Sequence, residues 1–214
     1  MTYPADAFIG TALNIFGLNI NGYPLSFVVW NILLAIFAIY ITQLTVRCWN
    51  SKKPLIIKLL LSAVWLALLP NTAYLMTDAR HIIGACSLDA YGNICSENAW
   101  MSLFFFAYAA MGWPAFVLAL RPLKNFVSER LGTRSGITFA AIACVLSAWG
   151  VLIGLLGRFN SWDLVLRPVR VVKYALSYFS NGELFFNLII VSVIFIFLYA
   201  LGEKIFVYGL SKNK

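Results

Sequence analysis

Five long apolar runs punctuate the chain: Leu25 to Val46, Leu55 to Met76, Ala99 to Leu120, Ile137 to Leu156 and Leu184 to Leu201. Nearly all the charged residues lie between them. A run of about 20 apolar residues crosses a hydrocarbon core of roughly 30 Å, so each run predicts a membrane-spanning helix. The stretch Ala7 to Ile20 is also apolar, but about 14 helical residues rise only about 21 Å. It predicts a shortened or interfacial N-terminal helix.

A further helix is expected from Pro168 to about Phe179. There Arg170, Lys173 and Ser177 form a polar stripe, and Val169, Val172, Leu176 and Phe179 an apolar one. This is the pattern of a helix lying in the membrane surface. The fold expected is therefore an all-α integral membrane helical bundle over residues 1–214. It has five transmembrane helices, a short N-terminal helix and an outer interfacial helix.

Composition agrees with that pattern. The chain is 62% hydrophobic and only 11% charged, whereas about a quarter of the residues of a soluble domain carry charge. Asp6 near the start, with no Lys or Arg beside it, does not fit the basic opening of a cleavable signal. The N-terminus is expected to stay attached. The net charge of +8 would suit nucleic acid, yet the basic residues form no groove interleaved with stacking rings. Topology explains them better, and no nucleic-acid partner is expected.

When the loops are alternated across a membrane, Arg47, Lys52, Lys53, Lys58, Arg121, Lys124, Arg130, Arg134, Lys204, Lys212 and Lys214 share one side. They make up eleven of the 16 basic residues. Basic loops stay in the cytoplasm. The expected placement is thus the cytoplasmic (inner) membrane, with the N-terminus outside and the C-terminus cytoplasmic. Against this bias, Arg158, Arg167, Arg170 and Lys173 fall in one outer loop. An anionic partner such as a lipid phosphate would account for them, since arginines bind phosphate oxygens through forked, charge-assisted hydrogen bonds. Cys86 and Cys95 share the other outer loop and are candidates for a disulfide, which could form only on that side.

Two polar blocks end on this outer face. In LPNTAYLMTDARH, Leu69 to His81, Pro70 removes a backbone donor inside an apolar run and should kink or unwind the helix. If the helix resumes, Asn71, Tyr74, Asp78 and His81 fall within an arc of roughly 80°. An Asp and a His three residues apart can act as general acid and base, ligate a divalent metal, or simply hydrogen-bond. Metal is the less favoured reading. His81 is the one histidine of the chain, and carboxylates such as Asp163 would have to complete the ligand set.

In GLLGRFNSWDLVLRP, Gly154 to Pro168, Gly157 is suited to the left-handed position that closes a helix. Arg158 would then turn towards the headgroups. Asn160 or Ser161 can cap a short helix, with Asp163 in its first turn. Asp163 and Arg167 are spaced for a local ion pair. Pro168 suits the first turn of the next helix, and Trp162, Tyr174 and Tyr178 fit an aromatic belt.

Elsewhere, Gly150 and Gly154 make a G-x-x-x-G pair that permits close packing, which predicts a central position for the fourth span. Pro114 beside Gly112 should kink the third. No Asp, Glu, Lys, Arg or His sits near the middle of any span, where transporters build coupling sites. A glycine-rich phosphate loop, a G-x-S-x-G elbow and an H-E-x-x-H pair are also missing.

Trp30-Asn31, LPNTAYLMTDARH and GRFNSWDLVLRP, in that order and spacing, resemble a bacterial multi-pass membrane family, domain of unknown function thirteen sixty-one. The resemblance implies a helical integral membrane protein and supplies no activity. Its matching positions are Asn31, Pro70, Asn71, Tyr74, Asp78, His81, Gly157, Arg158, Phe159, Asn160, Ser161, Trp162, Asp163 and Pro168. Ala73 stands where the pattern has a second proline, and Ser102 where it tends to carry an acid.

The leading functional expectation is recognition, extending to processing, of an anionic lipid or lipid-linked molecule. Arg158 and Arg167 would bind phosphate, with Asn71, Tyr74, Asn160 and Trp162 beside them. Asp78, His81 and Asp163 are the candidate catalytic groups. The rival is a non-catalytic assembly or stabilising subunit that docks a membrane protein partner.

Overall fold

The structure is a computed structural model that describes residues 19–20, 23–80, 99–160 and 162–211. Helix α1 (Leu25–Trp49) and α2 (Leu55–Thr77) are followed by a 3-10 turn (Asp78–Arg80), and α3 (Ala99–Leu131) leads into α4 (Thr133–Gly157). A one-turn helix α5 (Asp163–Leu166), α6 (Pro168–Ser180) and α7 (Gly182–Ser211) complete the chain. Five of these, α1 to α4 and α7, are long and apolar enough to cross a membrane. This is a multi-pass membrane protein. The broad belt of exposed Leu, Ile, Val and Phe on the long helices is what contact with lipid requires.

Each predicted span is present, and α3 and α7 run well past the ends of their apolar runs. The expected N-terminal helix does not extend through its last two residues. Asn19–Ile20 (β1) pairs antiparallel with Tyr23–Pro24 (β2), Asn19 opposite Pro24 and Ile20 opposite Tyr23. The intervening sequence is Asn21-Gly22, a dipeptide that favours tight hairpins over helix. Residues 7–18 lie outside the described residues, as do His81, Cys86 and Cys95.

The third helix, rather than the fourth, is the most enclosed. Half of its apolar window is buried against 39% of that of α4, and it packs on α1, α2, α4 and α7. Small residues allow this. A Cβ on Gly112 of α3 would stand 2.9 Å from both the Leu75 side chain and the Met76 backbone nitrogen. Helix α3 continues through Pro114 and Pro122. Near the second proline the carbonyl of Ala119 accepts both Thr42 Oγ1 at 2.8 Å and Trp65 Nε1 at 3.0 Å, which ties α1, α2 and α3 together out of reach of water.

Between α3 and α4 stands a single residue, Gly132, at φ 90°, a backbone region that side chains other than glycine's rarely tolerate. At this basic end Lys58 Nζ donates to the carbonyl of Trp49 at 3.4 Å, and Arg130 donates to Asn50 Oδ1 at 2.9 Å. Lys124 and Glu203 pair at 2.6 Å between α3 and α7. At the opposite end Asn181 Oδ1 accepts the backbone N–H groups of Glu183 and Leu184, capping α7.

Packing through missing side chains has a measurable consequence. Gly112→Ala should destabilise by about 1–3 kcal/mol, because the added methyl meets backbone that cannot swing aside. Gly182→Ala, whose Cβ would meet nothing within 4 Å, should be close to neutral. Unfolding midpoints in detergent separate the two.

Candidate functional site

The contact that assembles the site is Pro70 against Gly150. A Cβ at Gly150 would lie 2.6 Å from Pro70 Cγ, so the proline ring occupies the space that a side chain would take. One turn on, a Cβ at Gly154 would lie 3.6 Å from the Tyr74 ring. The G-x-x-x-G pair therefore receives Pro70 and Tyr74, two residues four apart on α2. The helix runs unbroken through Pro70 to Thr77, and the expected unwinding is absent. The glycine face opposite gives the ring room.

Beyond Thr77 the backbone tightens, and Asp78 is 1% exposed. Its Oδ2 accepts Asn31 Nδ2 from α1 and the Tyr108 hydroxyl from α3, both at 3.1 Å. One carboxylate oxygen thus joins the ends of three helices. Buried charge is tolerated when such donors surround it.

Helix α4 ends differently from the expectation. Gly157 is still helical, and it is Arg158 that takes the left-handed conformation, at φ 57° and ψ 33°. Gly157 is required for another reason: a Cβ there would lie 2.6 Å from the Tyr174 ring and 2.7 Å from that of Phe159. Those two rings pack with centroids 5.6 Å apart and fold the loop onto α6. A left-handed non-glycine residue costs about 1 kcal/mol, and such strain persists only where the surroundings enforce it.

Asp163 enforces it from the other side. It is 1% exposed, and its Oδ2 accepts the backbone N–H of Asn160 at 2.8 Å, while Asp163 N–H donates to the Asn160 carbonyl at 2.9 Å. Trp162, not Asn160, precedes α5, and among the described residues no side chain caps that helix; the other candidate, Ser161, lies outside them. Asp163 also pairs with Arg167 at 3.5 Å, the predicted spacing. Pro168 opens α6 as expected. The apolar stripe Val169, Val172, Leu176 and Phe179 is exposed, whereas Val171 and Tyr178 are buried. Burial, reinforced by neighbouring Tyr174, pushes the Tyr178 phenol above its ordinary range, so it stays neutral.

Between these parts lies a cavity of about 660 Å³. Asn71, Tyr74 and Asp78 from the first block line it together with Arg158, Asn160 and Trp162 from the second. Asp163 and Arg167 do not line it; they shape the loop that does. His81 and Ser161 lie outside the described residues. Sequence reasoning passed over Trp149, whose only mark is its place before Gly150, and Tyr108, which reaches Asp78 from a distant helix with no sequence signal at all. Trp30, Trp149 and Trp162 all line the cavity, and their buried indole N–H groups have no hydrogen-bond partner among the described residues. Nor do any three of His, Cys, Asp and Glu come together there to hold a metal ion, among the described residues.

The family model described as Protein of unknown function (DUF1361) matches residues 30–198. The chain belongs to this family. The matched DUF1361 region takes in every cavity-lining residue from Trp30 to Ala175, with Phe27 just ahead of it. No curated protein and no solved structure matches the chain.

The loop geometry and the Asp78 junction respond oppositely to substitution. Arg158→Gly should leave the unfolding midpoint unchanged or raise it, since it relieves the left-handed strain. Asp78→Ala should cost about 2–3 kcal/mol by stranding the buried donors of Asn31 and Tyr108. Denaturation of the two variants in detergent reads both effects.

Proposed function

We propose that this protein recognises the headgroup of an anionic lipid or lipid-linked molecule at the outer face of the cytoplasmic membrane. The observation that carries this reading is an arginine held in strained backbone at the mouth of a largely apolar cavity. Arg158 lines that cavity while its side chain remains exposed, so its guanidinium can meet a phosphate without first losing all its water. A guanidinium binds phosphate oxygens through two parallel donors. Asn71, Tyr74, Asn160 and Trp162 supply further polar groups around it.

The orientation follows from charge. Arg47, Lys52, Lys53, Lys58, Arg121, Lys124, Arg130, Arg134 and Lys204 belong to the end of the bundle away from the cavity, which by the bias of basic loops is the cytoplasmic one. The C-terminus is then cytoplasmic, the N-terminus is outside, and the cavity opens to the outer leaflet.

Arg167 is drawn towards Asp163, so it supports the loop more than it offers charge to a ligand. Were the headgroup also processed, Asp78 on the cavity wall and His81 three residues on would be the acid and base pair. Asp163 would act only as a positioning residue.

Binding of phosphatidylglycerol and phosphatidylcholine to the purified protein, followed by native mass spectrometry, tests the reading. Arg158→Ala should weaken retention of the anionic lipid about ten- to hundredfold, the size of a lost charge-assisted hydrogen bond, and leave the zwitterionic lipid alone. Arg158→Lys should restore part of the loss, because it keeps the charge and gives up the fork. Equal retention by wild type and Arg158→Ala overturns the proposal.

A further inference from the structure

The cavity is much deeper than a headgroup site needs. Its apolar lining reaches Leu34 on α1, Ala67 on α2 and Leu146 on α4. Ala67 lies eleven residues before Asp78, and Leu146 eleven before Gly157, a descent of about 16 Å along each helix. That is half of a hydrocarbon core of roughly 30 Å, the thickness of one leaflet. Among the described residues the charged groups of the lining, Asp78 and Arg158, are at the other end.

Among the described residues the helices also leave the side between α1 and α4 uncovered. Helix α2 packs along both α1 and α4, and among the described residues no extended contact joins α1 to α4. The result is a trough with α2 as its floor, α1 and α4 as its walls and α6 across its top through Val171, Val172 and Ala175. An aqueous solute would gain nothing from the lower half of such a trough. A hydrocarbon chain would bury its length there.

Trp30 and Trp149 stand on the two walls, below the Arg158 end and above Leu34 and Leu146 in the order of their helices. Their buried indole N–H groups lack acceptors among the described residues, and a buried donor without an acceptor is costly. An acyl lipid carries ester oxygens between its phosphate and its chains, in the same sequence of chemistry from the membrane surface inward.

We infer that the trough between α1 and α4 is the seat of one hydrocarbon chain of an ester-linked anionic lipid, which enters sideways from the leaflet while Arg158 takes its phosphate. This rests on the proposed headgroup recognition and adds the chain, its depth and its route. The shared chemistry is that of a membrane phospholipid and of an acylated lipid intermediate alike.

The test compares dioleoyl with dihexanoyl phosphatidylglycerol on the full chain in detergent, for wild type and for Ala67→Trp, which fills the lower trough and leaves Arg158 untouched. Partitioning into detergent is common to both proteins and cancels between them. Wild type should bind the long-chain lipid at least about tenfold more tightly than the short-chain one, and Ala67→Trp should lose that advantage while binding the short-chain lipid as before. An ether-linked dioleoyl analogue should bind less tightly than the ester. Identical chain-length dependence in wild type and Ala67→Trp overturns the chain seat and leaves the headgroup reading standing. Should Ala67→Trp not fold, equal wild-type affinity for the two chain lengths overturns the seat by itself. If wild type binds neither lipid, the headgroup reading falls and this inference with it.

Discussion

Everything at the polar end depends on Pro70 lying in the space left open by Gly150. That contact sets how closely α2 approaches α4, and each helix carries one of the two polar blocks at its end. With a side chain at position 150 the helices would stand further apart, and the cavity between Asp78 and Arg158 would lose its shape. In lipid there is little hydrophobic force between helices, so association rests on close packing and hydrogen bonds. Gly112 on α3 and Gly154 on α4 extend the same principle, which lets the helices approach closely around buried large side chains such as Phe105, Tyr108 and Phe116.

The second constraint is that polar atoms away from water must find partners within the protein. Asp78 answers it by receiving Asn31 and Tyr108, and Ala119 by giving its carbonyl to Thr42 and Trp65. Both junctions bind α1 and α3, one near each end of the bundle, and so fix the wall of the cavity that α1 provides. Asp163 does comparable work within the loop after α4. In contrast, the indole N–H groups of Trp30, Trp149 and Trp162 have no acceptor among the described residues. These indoles line the same cavity as Asp78 and Arg158.

The loop from Arg158 to Arg167 links structure to function most directly. A short left-handed step after α4 turns Arg158 to the cavity mouth, and the strain is held by Phe159 against Tyr174 and by the Asp163 carboxylate on Asn160. An arginine so placed has its backbone fixed before any ligand arrives, so less ordering cost remains to be met on binding. Beside the loop, the amphipathic α6 exposes its apolar stripe while Val171 and Tyr178 are buried.

Apolar run length by itself determined the five spans to within a few residues at most ends, because lipid imposes a length on any segment that crosses it, and the two-sided stripe after Pro168 gave the amphipathic helix there. Local spacing likewise gave the Asp163–Arg167 pair. The overrun of α3 and α7 was invisible to run length, since Lys124 and Glu203 neutralise each other only once the two helices meet. The chain could announce that Asn71, Asp78 and Arg158 were unusual. It could not show that Asp78 would be fastened by Tyr108, or that Arg158 rather than Gly157 would take the left-handed turn. Those outcomes are decided by contacts between residues far apart in sequence, where one missing Cβ or one buried donor on another helix sets the geometry, and only the tertiary structure brings such residues together.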